Sequence, residues 1–385
     1  MSPKLLLVLK NFYADWEVAR AVSSSLSAHR YTLRLIMDHH DEADDMIRRW
    51  KPDVLIVHGD HAPKIKSRLP RVCIFGERTG KPKYNVTVDN REVSRIGINY
   101  FYSRGFRHIA YITGDRTMPF AAPRFKAFEE CMAEHGLEPL VYDDRCLSGL
   151  DPVKSTDMAI DELGKWLKKA PRPLAVCAHD DIHSLHILEA CRQAALRVPE
   201  DVAILGTGNH PVLSTFTTPH LSSIAFPYEQ IGSEAARLAE NLLDQKNLNP
   251  EYIALPPLRI FTRKSTDIMA VRHPELQRAL QFITENAHRP LQPSEVVKAS
   301  PASRSKLQRI FREELGRTIL EEIHRRKVNL AKQLLEETNL TIDDIAERCG
   351  MPGAPSFSRL FSQKAGMSPG RYRQKIQSIH SNEPI

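Results

Sequence analysis

The residues best suited to meeting a polyanion lie in SRSKLQRIFREELG (303–316). With Ser303 capping a helix, Leu307, Ile310 and Phe311 fall at helical spacings and make one apolar stripe. Arg304, Ser305, Lys306, Gln308, Arg309 and Arg312 then occupy the remaining surface. Arg and Gln carry paired donors and acceptors that match guanine and adenine edges in a major groove, while Lys306 and Arg312 suit phosphates. PSFSRLFSQKAG (355–366) repeats the arrangement, with Phe357, Leu360 and Phe361 inward and Ser356, Ser358, Arg359, Gln363 and Lys364 outward. It is less basic and is expected to add less affinity. Any amphipathic helix with exposed Arg has this look; the recurrence with matching turns is what favours nucleic acid. The stretch between them, TILEEIHRRKVNLAKQLLEET (318–338), reads as one long helix. About 20 helical residues span about 30 Å, close to the about 34 Å between successive major grooves. One chain can therefore address two adjacent grooves of double-stranded DNA.

A second set of residues suits a sugar, which needs bidentate polar partners for its hydroxyls and an aromatic or apolar plate for its ring, at the carboxyl ends of strands. Asn11, Phe12 and Trp16 follow the apolar run KLLLVL, Arg124 follows the run ending at Gly114, and His179, Asp180 and Asp181 follow LAVCA. Other signals carry less. His179, Asp180, His183 and His186 have partial metal-ligand spacing, but no fourth ligand is placed, so no metal is expected. GERTGKPK (76–83) is one residue short of a phosphate loop, and Pro82 stands where a hydroxyl would hold magnesium. There is no GxSxG and no HExxH, so an enzyme reading lacks a nucleophile or base, and no cofactor is expected.

The elements that must position these residues are legible in outline. Apolar runs at 4–9, 32–37, 53–58, 71–75, 85–89, 108–114, 174–178 and 201–206 alternate with helical stretches near 15–29, 42–50, 90–103, 124–135 and 181–195. Continuous apolar strands between helices imply parallel sheet covered on both faces. About 265 residues fit two lobes better than one doubly wound sheet. After Leu255-Pro256-Pro257 and the polar stretch 263–274 every periodic segment is helical: about 274–287, 293–299, 303–314, 318–337, 341–348, 354–365 and 369–376. Thr341 with Asp344 resembles a capping box, Ser368-Pro369 a helix start, and Gly316, Gly350 and Gly366 helix ends. The expected organisation is a two-lobed α/β domain at 1–265, a linker at 266–274 and an all-α domain at 275–385.

Charge follows the same division. Of the 385 residues, 1–269 hold 35 Lys/Arg against 34 Asp/Glu, and 270–385 hold 19 against 13. A neutral large part beside a basic small part assigns the polyanion to the small part. The six Cys are scattered without CxxC spacing and read as reduced thiols, which excludes a disulfide scaffold. No stretch approaches the roughly 18 apolar residues of a membrane span, so a cytoplasmic, nucleoid-associated protein with no membrane partner is expected.

LQRIF followed by ELG, RRKVNLAKQLLEET, LTIDDIAERCG, SFSRLF and GMSPGRYR resemble, in order over about 100 residues, the AraC/XylS family of transcription regulators. That resemblance implies two helix-turn-helix units with recognition helices at Arg304 to Arg312 and about Ala354 to Gln363. Ser305, Gln308, Arg309, Ser356, Ser358 and Arg359 match the family's base or phosphate contacts. MPGAPSF (351–357) departs from the family pattern, which has an aromatic after the Gly and no Pro.

VTVDN, SRGFRHIAYITG, PRFKAFEECMAEHGL, AHDD, RVPEDVAILG and TTPHLSSI resemble the LacI-type effector domain, a periplasmic-binding-protein-like fold. By that resemblance Arg124 and Asp180 match sugar-contacting positions, with Asp181 an equal alternative. GTGNH (206–210) has Gly208 and Asn209 where the family carries an Asp, so Asn209 joins the candidates. Together the resemblances imply a sugar-responsive activator of sugar catabolism genes that binds operator or promoter DNA, works as a homodimer and meets RNA polymerase. Xylose is the first expectation for the effector; another pentose, a hexose or a sugar acid stays open. The competing reading is a cytosolic carbohydrate-binding or carbohydrate-processing protein whose basic tail holds a protein or RNA.

Overall fold

The computed structural model describes residues 2–10, 12–26, 30–37, 40–59, 62, 65–76, 82–113, 121–143, 152–244, 249–270 and 273–380. They form two compact units, Met1–Asp267 and Ile268–Ile385.

The first unit holds two six-stranded sheets. One has the order β11-β5-β4-β3-β1-β2, built from β1 (Lys4–Leu9), β2 (Thr32–Met37), β3 (Val54–His58), β4 (Arg71–Ile74), β5 (Tyr84–Val88) and β11 (Glu251–Leu255). All its pairings are parallel. The other has the order β12-β10-β9-β8-β6-β7, from β6 (His108–Thr113), β7 (Leu140–Asp143), β8 (Leu174–Ala178), β9 (Val202–Gly208), β10 (Ser222–Ala225) and β12 (Arg259–Phe261). Among the described residues only β12 runs antiparallel, against β10.

Central strands such as VLIVH are buried along their whole length because helices cover both faces. The first sheet is flanked by α1 (Tyr13–Ser25), α2 (His40–Trp50) and α8 (Tyr228–Leu243). The second carries α3 (Asn90–Tyr102), α4 (Ala121–Glu134), α5 (Pro152–Lys169), α6 (Asp181–Gln193) and the short α7 (Pro211–Phe216).

Three chain crossings join the lobes, between β5 and α3, between β10 and α8, and between β11 and β12. They are bonded to one another: Asp89 N–H donates to the Leu255 carbonyl at 2.7 Å, and Leu258 N–H to the Ala225 carbonyl at 2.8 Å. The 3-10 turn Lys264–Thr266 follows β12, and its Ser265 and Thr266 are wholly buried. This stretch reads as linker by composition, yet it is packed into the first unit because each hydroxyl finds a buried partner there.

The second unit is helical throughout its described residues: α9 (Pro274–Asn286), α10 (Pro293–Ala299), α11 (Arg304–Leu315), α12 (Ile319–Glu337), α13 (Ile342–Arg348), α14 (Ala354–Ala365) and α15 (Pro369–His380). It has two cores with α12 common to both. Leu307, Ile310 and Phe311 of α11 pack with α9, α10 and the first half of α12, through Ile319 and Ile323. Phe357, Leu360 and Phe361 of α14 pack with Ile345 and the second half of α12, through Val328, Ala331 and Leu335. Helix ends follow their chemistry. Ser303 caps α11, Thr318 and Thr341 form capping boxes with Glu321 and Asp344, and Gly316 and Gly366 close α11 and α14 in the left-handed region.

Several elements lie outside the sequence expectation, namely β7, α5, α7, β10, α8, β11 and β12. The edge strands β7 and β11 have no continuous buried run, and β10 and β12 are only 4 and 3 residues long, so the continuous apolar signal fades.

Candidate ligand cleft and nucleic-acid interface

Strands of both sheets direct their carboxyl ends toward the crossings, and a chain of rings links those ends. Phe12, the residue preceding α1, lies edge-on to His58, which ends β3. His58 contacts Phe75 after β4, and Phe75 meets Tyr228 at the start of α8. Tyr13 touches Tyr228 at 5.7 Å and His210, from the other lobe, at 4.6 Å between ring centroids. Burial and the neighbouring Glu17 push the Tyr13 phenol up to about 12, so it stays a hydrogen-bond donor at neutral pH.

Arg124, on α4, is buried in the same region. Its Nε donates to Asn90 Oδ1 at 3.0 Å, its Nη1 to the His179 carbonyl at 2.7 Å, and its guanidinium lies 5.4 Å from the Phe226 ring. Burial lowers its pKa, yet a guanidinium keeps its charge. It thus ties the crossing at Asn90, the end of β8 and the crossing at Phe226 to one cation.

Asp180 caps α6, and its Oδ1 accepts from both the backbone N–H and the ring Nδ1 of His183 at 2.7 Å. About a third of its side chain remains exposed. Burial opposes its ionisation, but the adjacent His183 outweighs that and holds the carboxyl below its usual range. Asp181 is different. Its oxygens are taken by Ser223 Oγ and by the His210 backbone N–H, both at 2.6 Å, and it is 3% exposed. Burial raises it to about 6 against those two hydrogen bonds. Asn209 Oδ1 accepts from Arg263 at 3.1 Å, and its backbone N–H donates to Ser223. The structure therefore brings Phe12, Arg124 and Asp180 to the strand ends as open or charged groups, and commits Asp181 and Asn209 to internal bonds. Trp16 is half exposed on α1 rather than part of a core. Asn11 lies outside the described residues.

Tyr13, His58, Phe75, Asn90, Phe226 and Tyr228 escape sequence reasoning that examines only the ends of β1, β6, β8 and β9. The rule that ligands sit beyond strand carboxyl ends, applied to DVLIVH, RVCIF, VTVDN and SSIAF, points to four of them.

On the second unit, Arg304, Ser305, Lys306, Gln308, Arg309 and Arg312 are all exposed on α11, and Ser356 and Arg359 on α14, with Ser358 half buried. Arg304, Gln308 and Arg312 share one shallow groove with Ser294 and Thr318. Lys306 is paired with Glu275 at 2.7 Å, and Arg309 reaches Glu313 at 3.5 Å while staying two-thirds exposed. Pro355 sits in the first turn of α14, where a missing N–H costs nothing.

Residues 98–266 match the periplasmic binding protein-like domain family and residues 296–375 a helix-turn-helix domain family. The chain is 28% identical to the xylose operon regulatory protein of Escherichia coli K12, over 96% of each. It is 26% identical to that of Haemophilus influenzae, over 96% of this chain and 97% of the relative. Among solved structures, a xylose-binding transcription activator superposes with a TM-score of 0.71 at 26% identity, covering 97% of this chain and 98% of that one. A cellobiose-bound transcriptional regulator at 22% identity and TM-score 0.57 covers 68% of this chain and 84% of its own, and shares the fold.

Proposed function

We infer that this chain, an AraC-family regulator with a periplasmic-binding-protein-like sensor, is a sugar-responsive DNA-binding activator of sugar-metabolism genes whose effector is xylose. The observation that carries the reading is a likeness that runs through both units, to relatives named for xylose regulation and to a solved activator matched over 97% of this chain and 98% of that one. These relatives are regulators rather than enzymes.

In this reading the sugar lies at the strand ends of the first unit. Arg124 and Asp180 pair with its hydroxyls, and Phe12, Trp16 and the rings of Phe75 and Phe226 supply apolar plates. A pentose has several vicinal hydroxyls, which suits a fixed cation beside a partly exposed carboxylate. Binding favours one arrangement of the lobes, and control of DNA follows from a difference in affinity between the two arrangements.

On DNA, α11 and α14 enter the major groove as the second helices of two helix-turn-helix units. Gln308 and Arg309 read base edges; Arg304 and Arg312 hold phosphates. The chain works as a dimer in the cytoplasm, and activation proceeds through contact with RNA polymerase.

The test is fluorescence anisotropy with duplexes from upstream of xylose-utilisation genes, with and without a panel of pentoses and hexoses. Xylose is expected to change the operator affinity at least about fivefold, the lower end of common couplings. Response to another sugar alone moves the effector assignment, and binding that ignores duplex sequence defeats the regulator reading.

A further inference from the structure

The turn Gly208–Asn209–His210 is where the present chain departs from the expected Asp, and its three residues each have a different task. The Gly208 carbonyl accepts from the Tyr228 hydroxyl at 3.1 Å, at the start of the helix that follows a lobe crossing. The His210 ring packs against Tyr13, which belongs to the other lobe, and the His210 N–H is held by Asp181 at 2.6 Å. The Asn209 side chain accepts from Arg263 at 3.1 Å. Gly208 and Asn209 have φ of +117° and +53°, so the turn is a specified conformation rather than a slack loop.

Arg263 begins the last segment of the first unit. Its Nη1 donates to the Leu221 carbonyl, and its backbone N–H donates to Ser222 Oγ, both at 2.8 Å. Ser222 Oγ also receives Thr266 Oγ1 at 2.7 Å, and Ser265 Oγ receives the Ser222 N–H at 2.8 Å. Ser222, Ser265 and Thr266 are wholly buried, and one residue beyond them, at Asp267, the first unit ends. A continuous hydrogen-bond network, part-buried at the Asn209–Arg263 bond and buried from Arg263 onward, therefore runs from a turn that touches the opposite lobe to the point where the chain leaves for the helical unit. Hydrogen bonds linked in series through a low-dielectric interior polarise and orient one another, so a shift at one end is felt at the other.

We propose that the Gly208–His210 turn relays lobe movement to the tether of the DNA-binding unit through the Asn209–Arg263 hydrogen bond, making Asn209 a positioning residue for the effector response. This rests on the functional reading above, which assigns sugar to the first unit and DNA to the second. Closure or opening displaces Tyr13 relative to His210. The turn transmits the displacement to Arg263, and residues 263–267 carry it to the tether.

The decisive variant is Asn209→Gly, which deletes the side chain, permits the positive φ and leaves the Arg263–Leu221 bond in place. In the full chain without ligand, amide hydrogen exchange of residues 264–267 is expected to accelerate about tenfold or more, as local protection is lost. Unchanged exchange there overturns the proposal whatever the effector is. With xylose, Asn209→Gly is expected to bind sugar within about threefold of the parent, while the effector-dependent ratio of operator affinities falls to within about twofold of one. Asn209→Asp keeps an acceptor for Arg263 and is expected to retain the ratio. A parent-like ratio in Asn209→Gly overturns the relay, as does loss of the ratio in Asn209→Asp with sugar affinity retained. A parent chain that responds to no sugar indicts the functional reading instead, and the exchange experiment still decides the relay.

Discussion

At the scale of residues, two neighbouring carboxyls divide the work of one strand end. Asp180 is held ionised by His183 and stays partly exposed, whereas Asp181 is buried and raised to about 6. Their environments, not their spacing, separate a partly exposed carboxylate from an internally bonded one. Because the folded pKa of Asp181 lies above its ordinary value of 3.8, its contribution to stability is fully present below that value and is lost as pH rises through about 6. Thermal melts from pH 4 to pH 7 should therefore show the parent losing stability relative to Asp181→Asn across that window; parallel curves would refute the assignment. Under the proposed reading, Arg124→Ala is expected to abolish the response to xylose while leaving operator affinity within about threefold, since the cation lies in the first unit and its loss strands the groups it joins. On α11, Arg309→Ala should weaken operator binding by about tenfold or more if it removes the base contact proposed above. Lys306→Ala should cost less, because Lys306 must first leave Glu275. Titration of the two variants against the same duplex gives the order directly.

At the scale of elements, α12 decides whether the two helix-turn-helix units act as one. Its buried Lys327 donates to the carbonyls of Arg289, Cys349 and Gly350 at 2.6 to 3.0 Å, linking the segment before α10 to the end of α13. Burial lowers its pKa, and the three carbonyls compensate for the lost hydration. Gly350 has φ +58°, and a Cβ there would collide with the Arg289 backbone, so both the conformation and the close approach require glycine. Lys327→Met is expected to destabilise the helical unit by about 2 kcal/mol or more, by leaving three buried carbonyls short of a donor. Calorimetry of the full chain should show one transition shifted downward with the transition of the first unit unmoved. A Tm unchanged in both would show that the link is dispensable.

At the scale of the whole molecule, the unequal charge of the two units governs how the chain meets DNA. The basic excess of residues 270–385 is expected to make operator affinity fall steeply with salt, by about a hundredfold or more between 50 and 200 mM, as several phosphate contacts release counterions. The affinity of the nearly neutral first unit for its proposed effector should change far less over the same range. Parallel salt titrations separate the two, and a shallow DNA slope would count against a phosphate-tracking interface.

The alternation of apolar runs and helices, the charge division, the two apolar stripes LxxIF and FxxLF and the caps at Ser303, Thr341 and Gly366 are local signals. Each depends on residues within a few positions, so the two-domain plan and both outward-facing helix surfaces were legible without coordinates. Tertiary structure alone decided which candidate side chains are open and which are spent. Asp180 and Asp181 are adjacent, and Asn209 and Arg263 are 54 residues apart. Only folding brings His210 to Tyr13, plugs Arg263, Ser265 and Thr266 into a buried network and turns a polar junction into part of the first unit. Pattern along the chain sets periodicity, while commitment of a polar group depends on partners that arrive from distant strands.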